Sequence, residues 1–152
     1  MPGKIYKIGE RVVGRILALD IGQKRTGIAV TDPLKIIANG LTTIPSHTVL
    51  GFLADYFSKE SVELLVVGSP KQMDNSSSEA MKFIDPIVRG IRKTFPGMPI
   101  QFIDERFTSK MAKQAMIDGG MKKMDRRNKA MVDTISATII LQSYLESLSF
   151  NR

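Results

Sequence analysis

Acidic residues occupy positions where the surrounding pattern calls for apolar ones. Asp20 closes the apolar run 14–20, Asp104 and Glu105 close the run 99–105, and Asp133 lies within an apolar region near the end of the chain. Carboxylates gathered from such positions repel one another, so they either take up protons or bind a hard cation. Oxygen ligands without Cys favour Mg²⁺ or Mn²⁺, and such ions activate water and clamp a phosphodiester. The acidic residues therefore predict the chemistry of a nuclease.

Each carboxylate also has a simpler interpretation. Asp20 can be a turn-forming residue at a strand end. Asp104 and Glu105 can both be solvated end residues, and because successive strand side chains alternate, only one of them can face a given site. Asp133 can be a buried Asp satisfied by backbone groups or Thr hydroxyls. Taken one at a time, these residues leave the choice open.

The position of Asp133 is the most informative of the four. Its offsets of three, four, seven, eight, eleven and fifteen place it on one helical stripe with Ala130, Ala137, Ile140, Leu141, Tyr144 and Leu148. That stripe is expected to face the sheet. A carboxylate on a core-facing stripe needs a partner, and a metal ion is the alternative to a hydrogen-bonded Asp.

Basic residues are concentrated in one segment of the chain. Residues 106–130 carry eight Lys and Arg against two Asp, whereas the whole chain has a net charge of +7. Side chains of this segment are predicted to hold substrate phosphates, which makes binding salt-dependent; a solvated surface is the other interpretation. The candidates taken from this tract are Arg106, Lys110, Arg126, Arg127 and Lys129.

The elements that must position these residues follow from the apolar pattern. Three early strands, 14–20, 26–31 and 36–44, precede a helix at 49–58 and a central strand at 62–68. A helix opened by Ser76 follows, in which Pro86 predicts a kink or a late start. A strand at 99–105 and helices at 108–117 and from Asp125 to Leu148 complete the order βββαβαβαα. This order predicts an α/β fold, with one mixed sheet and helices on both faces.

Length and composition bound the remaining possibilities. A chain of 152 residues predicts one domain, here 14–152 after an irregular arm at 1–13. The absence of Cys excludes disulfides, zinc-thiolate sites and thiol nucleophiles. No apolar run approaches the roughly 18 residues of a membrane span, and the start lacks the apolar core of a signal peptide. We expect a cytoplasmic protein without a membrane partner.

Four stretches, in this order, resemble motifs of the YqgF family, also called RuvX. They are residues 20–30 (DIGQKRTGIAV), 66–70 (VVGSP), 104–109 (DERFTS) and 132–145 (VDTISATIILQSYL). The resemblance covers residues 15–145. That family consists of pre-16S ribosomal RNA nucleases with an RNase H-like fold related to bacterial Holliday junction resolvases, so its fold and activity become expectations for this chain.

The resemblance implies a five-stranded RNase H-like (RuvC-like) sheet ordered 3-2-1-4-5. It also implies a divalent-metal site with Asp20, Glu105 and Asp133 as catalytic ligands and Asp104 as a less certain fourth. Lys24, Arg25, Arg106 and Thr108 would lie near the phosphates. The strand ending at Gly68 has no acidic residue at its tip, which departs from the resolvases and leaves the number of metal ions open.

Several functions remain as hypotheses. The leading one is a metal-dependent endonuclease acting on precursor 16S ribosomal RNA, for which we expect a monomer or a weak homodimer. A Holliday junction resolvase acting on branched DNA is the nearest rival, and it would have to dimerise. A non-catalytic RNA-binding ribosome-assembly factor would need only the basic tract. An actin-like kinase or ATPase is disfavoured, because those enzymes need two such domains and 152 residues supply one.

Overall fold

The computed structural model describes residues 6–8, 11–69, 79, 81–104 and 129–150. Its strands are β1 (Tyr6–Ile8), β2 (Arg11–Val13), β3 (Arg15–Ile21), β4 (Arg25–Thr31), β5 (Ala38–Pro45), β6 (Val62–Ser69) and β7 (Ile100–Asp104). Its α-helices are α1 (Val49–Lys59), α2 (Met81–Thr94) and α3 (Lys129–Phe150), and a 3₁₀ turn spans Ser46–Thr48. None of the described helices combines the length and the apolar character that crossing a membrane requires.

A five-stranded sheet organises the described part of the chain, in the order β5-β4-β3-β6-β7. Strands β3, β6 and β7 run parallel, whereas β4 and β5 are antiparallel neighbours on the other side of β3. Counted along the chain within this sheet, the order is 3-2-1-4-5, which confirms the expected topology. The central strand is therefore the one that ends near Asp20.

The two faces of this sheet pack against different helices. Leu17, Leu19 and Ile21 of β3 lie in a large core with residues of α1 and α2. Ile16 and Ala18, which alternate with them, lie in a smaller cluster with residues of α3. Because both faces are covered, the middle of β3, from Ile16 to Leu19, is apolar and buried.

The element boundaries agree with the expected order, with three differences. Within the predicted irregular arm 1–13, β1 and β2 form an antiparallel pair, so this part of the arm is regular. The third sheet strand begins at Ala38 instead of residue 36, and its pairing with β4 shifts register next to Gly40. Helix α2 begins at Met81 with Pro86 inside it. The predicted Ser76 cap and the predicted helix 108–117 lie outside the described residues, and the boundary 14–152 of the domain stays a prediction.

Candidate active site

The Asp20 side chain lies on the α3 face of the central strand. Asp20 is the sixth residue of β3 and is half-buried. It follows Ile16 and Ala18 at a spacing of two, and these residues pack against α3. Its Cα partner on β4 is Gly27, and directly opposed residues of an antiparallel pair share a face. Whatever covers Gly27 on this face therefore also lies beside Asp20.

The residue that covers Gly27 is Asp133. A Cβ atom added to Gly27 would overlap the Asp133 carbonyl oxygen, so only glycine lets the first turns of α3 approach the sheet here. Gly40 of β5 plays a similar part, since its added Cβ would lie 2.7 Å from Thr134 Cγ2. These close contacts fix Asp133 next to the end of the central strand. The tertiary structure thus brings Asp20 and Asp133 together across 113 positions of sequence.

An arginine holds the Asp133 carboxylate. Arg25 Nε donates to Asp133 Oδ2 at 2.9 Å, and the two side chains are 38% and 24% exposed. Arg25 begins β4, only five positions after Asp20, so the same β3–β4 hairpin carries both residues. Among the described side chains, Arg25 is the hydrogen-bond partner of this carboxylate, which leaves Oδ1 for other ligands. The Thr hydroxyls that the sequence offered as partners for Asp133 bond elsewhere.

One of those hydroxyls attaches α3 to the outer strand β5, and another bonds within α3. The side-chain oxygens of Thr43 on β5 and Thr134 on α3 are 2.6 Å apart, and the Thr138 hydroxyl donates to the Thr134 carbonyl at 2.8 Å. Sequence analysis did not single out this pair. The sequence signal in the helix is the spacing of Thr134 and Thr138, four positions apart on one helical face, which is too common to be diagnostic.

The turn that carries Lys24 is also pinned from within. Gly22 N–H donates to the Arg25 carbonyl at 2.8 Å, which closes the hairpin. Ser46, 6% exposed, donates from its hydroxyl to the Gly22 carbonyl at 2.6 Å and from its backbone N–H to the Lys24 carbonyl at 2.9 Å. The Lys24 side chain remains exposed. The Lys24 ammonium group is therefore exposed to solvent on a hydrogen-bonded turn, four positions after Asp20.

Asp104 occupies the same sheet edge on the other face. It is the last residue of β7 and the Cα partner of Ser69. Ile103 packs in the α3 cluster and Phe102 in the large core, so strand alternation assigns Asp104 to the Phe102 face. Of the other candidates, Glu105, Arg106, Thr108, Lys110, Arg126 and Arg127 lie outside the described residues. Lys129 begins α3, and its side chain is not described.

The described site therefore holds two carboxylates on one face, from Asp20 and Asp133. No set of three or more His, Cys, Asp or Glu side chains placed to hold a metal ion occurs within residues 6–8, 11–69, 79, 81–104 and 129–150. Carboxylate oxygens are the donors that Mg²⁺ and Mn²⁺ prefer, and the site offers no soft ligand. The donor chemistry fits a hard divalent ion that takes at least one further ligand from elsewhere.

A mixed sheet of this order, with a carboxylate at the end of its central strand and another on the helix packed over it, defines an RNase H-like protein of the RuvC kind. A solved structure shares the fold: "T. thermophilus RuvC in complex with Holliday junction substrate" aligns with a TM-score of 0.52 at 16% identity, covering 88% of this chain and 96% of that chain. At this identity the likeness establishes the fold alone.

Sequence comparison identifies the family. Residues 14–147 match the family model described as "RuvX: Holliday junction resolvase". The chain belongs to the RuvX family. A relative from Phocaeicola vulgatus is 62% identical over 91% of this chain and 99% of its own length, and one from Bacteroides thetaiotaomicron is 57% identical over 91% and 100%. A Flavobacterium psychrophilum relative is 59% identical over 86% and 96%. All three are named "Putative pre-16S rRNA nuclease".

Proposed function

We propose that this protein is a divalent-metal-dependent endonuclease that hydrolyses phosphodiester bonds of precursor 16S ribosomal RNA. One observation carries the proposal: the Asp133 backbone packs on Gly27, the direct cross-strand partner of Asp20, so two acidic residues share one face at the end of the central strand. The names of the relatives supply the substrate, because proteins named "Putative pre-16S rRNA nuclease" are 53–62% identical to this chain.

The proposed ligand set is Asp20, Asp133 and Glu105, and the ion is Mg²⁺ or Mn²⁺. Glu105 is preferred to Asp104 as the third ligand, because Asp104 is assigned to the face of the sheet opposite Asp20. A bound ion would supply positive charge that activates a water molecule and neutralises the reacting phosphate. Oδ1 of Asp133 is the oxygen available to it, since Oδ2 accepts from Arg25.

In this proposal, basic side chains of the protein orient a metal ligand and bind the substrate backbone. Arg25 fixes the rotamer of Asp133, and partners that orient a ligand in this way improve metal affinity or activity by about 10- to 100-fold. Lys24, exposed on the pinned turn, contacts the substrate backbone beside the reacting phosphate. The basic candidates Arg106, Thr108, Lys110, Arg126, Arg127 and Lys129 extend that contact along the strand, which makes binding depend steeply on salt.

The test is cleavage of precursor 16S RNA by the purified protein with Mg²⁺ or Mn²⁺, compared with Asp20→Asn and Asp133→Asn. Each substitution should slow cleavage by more than about 100-fold, because these residues would bind the ion directly rather than through another group. Asp55→Asn is the matched control: Asp55 is exposed on α1 and pairs with Lys59. Cleavage by Asp20→Asn at the wild-type rate would refute the proposal.

A Holliday junction resolvase is the second candidate, favoured by the description of the matching family model. Cleavage of a four-way DNA junction should be assayed beside the RNA, with the oligomeric state measured under the same conditions. Symmetric cleavage of the junction by a dimer, with intact RNA, would select this function. Metal-independent RNA binding without cleavage of either substrate would instead identify a ribosome-assembly factor.

A further inference from the structure

A cavity lined by both charged and apolar side chains lies on the sheet face opposite the candidate active site. It has a volume of about 370 Å³ and opens between β6, β7 and α2. Ser69 and Phe102 form its floor on the sheet, and Asp85, Arg89 and Arg92 of α2 line its wall. Ser69 is 2% exposed, and among the described residues its hydroxyl donates only to the Met81 sulfur, a weak acceptor at 3.8 Å. The cavity therefore combines a buried hydroxyl with two cationic side chains.

The charges of this cavity favour an anion. Arg89 and Arg92 lie three positions apart, on the same side of α2. Neither takes part in an ion pair with any described residue, and neither does Asp85. Two guanidinium groups against one carboxylate leave the lining net positive. Because a guanidinium group stays charged and presents paired N–H donors, it binds phosphate oxygens well.

The position of the cavity connects it to the substrate of the proposed function. Ser69 is the last residue of β6, and Leu19 of β3 pairs with Val67, so Asp20 and Ser69 end neighbouring parallel strands at one edge. Adjacent strands are about 4.8 Å apart. Asp20 and Asp133 face one side of this edge, and the two arginines face the other. A nucleic acid strand crossing the edge would reach both.

We propose that the cavity lined by Arg89 and Arg92 binds a phosphate of the nucleic acid substrate, away from the bond that is cleaved. The proposal rests on the proposed function only for the class of ligand. Its physical basis is separate, because no residue of this cavity belongs to the candidate active site.

Equilibrium binding of a short single-stranded RNA tests this site in EDTA, where no metal-dependent cleavage occurs. Arg89→Gln and Arg92→Gln should each weaken binding about fivefold to eightfold at about 0.1 M salt, because losing one phosphate contact lowers the slope of log K against log salt by about 0.7 to 0.9. Asp85→Asn should act in the opposite direction and tighten binding about twofold, since it removes a negative charge beside the ligand.

Lys93→Gln is the matched control. This substitution removes the same charge as the arginine variants. Lys93 is an exposed residue of α2 that does not line the cavity. It should leave the affinity and the salt slope close to those of the wild type. If Lys93→Gln loses as much RNA affinity as the two arginine variants, the effect is one of general surface charge and the proposal is overturned. It is also overturned if the slope of log K against log salt is unchanged in all three variants.

Inorganic phosphate distinguishes a nucleic acid ligand from a free anion. If phosphate raises the melting temperature of the wild type but not of Arg89→Gln/Arg92→Gln, while RNA binding is unaffected by the variant, the ligand is a small phosphoanion and the nucleic acid assignment is wrong. Failure of the proposed endonuclease would show differently, as intact RNA in the cleavage assay. The binding slopes do not depend on that result.

Discussion

The two faces of the central sheet are built in contrasting ways. Among the described residues, the α1/α2 face buries thirteen large apolar residues in a continuous core, with Phe and Tyr rings packed at its margin. In the same part of the chain, the α3 face buries seven residues, of which three are alanines, and adds the Arg25–Asp133 and Thr43–Thr134 contacts. Apolar burial stabilises roughly in proportion to area. Of the stabilisation that comes from the described residues, the α1/α2 face therefore supplies the larger part, while the α3 face buries less area but allows close helix approach and polar contacts.

This contrast explains where the candidate chemistry lies. A carboxylate on the larger core would lose its hydration without a partner, at a cost of several kcal/mol. On the α3 face the approach over Gly27 places Asp133 at the rim, where it stays 24% exposed and pairs with Arg25. Stability and chemistry are thus separated to opposite sides of one strand, and substitutions on the two sides should have separable effects.

The largest loss of stability is expected on the α1/α2 face. Leu53 of α1 is fully buried, so Leu53→Ala should lower the free energy of unfolding by about 2–5 kcal/mol through lost burial and a cavity. The cleavage rate per folded molecule should remain near that of the wild type. Urea denaturation and the cleavage assay measure the two quantities. Leu50→Ala, at a 37% exposed position of the same helix, should cost far less.

A smaller loss of stability, but a large loss of activity, is expected from Gly27→Ala. The added methyl group would displace the Asp133 backbone, costing about 1–3 kcal/mol of stability and moving one proposed metal ligand away from the other. Metal affinity, measured by calorimetry, should fall together with cleavage. Gly51→Ala is the control, because nothing lies within 4 Å of its added Cβ and Ala is the better helix former. If Gly27→Ala binds metal as the wild type does, the close packing of α3 is irrelevant to the site.

The smallest effect on stability is expected from Arg25→Gln. The ion pair with Asp133 is partly exposed, so its loss should cost less than about 1 kcal/mol. Cleavage should nevertheless fall about 10- to 100-fold, because Asp133 loses the group that orients it. Lys59→Gln removes the more exposed pair with Asp55 and should change neither quantity appreciably. A variant as active as the wild type would show that Arg25 neither orients Asp133 nor contacts substrate.

Much of the fold could be read from local patterns. The apolar runs around β3 and β6 and the helical spacing in α1 are local properties, and the structure has these elements within a residue or two of their predicted bounds. The stripe on the last helix placed Ala137, Ile140 and Leu141 against the sheet, where all three are buried. The pairing of β1 with β2 was not predicted, because strands this short depend on their neighbours for hydrogen bonds.

The candidate site was harder to derive. Sequence position marked Asp20 and Asp133 as carboxylates needing partners, but it offered Thr hydroxyls for Asp133, whereas the partner in the structure is Arg25. The sequence did not indicate the role of Gly27 either, because a glycine in a hairpin motif usually indicates a turn. In this strand it instead permits contact with a helix from the far end of the chain. The assignments to Glu105 and to the basic tract stay predictions.

Local patterns along the chain specify which residues are apolar, which elements they form and which carboxylates lie at the ends of those elements, because these properties depend on neighbours a few positions away. Long-range packing, in contrast, places α3 against Gly27, pairs Arg25 with Asp133, and brings Arg89 and Arg92 into one cavity with Ser69. Such contacts join atoms far apart in the chain, and their existence depends on the shapes of both partners at once.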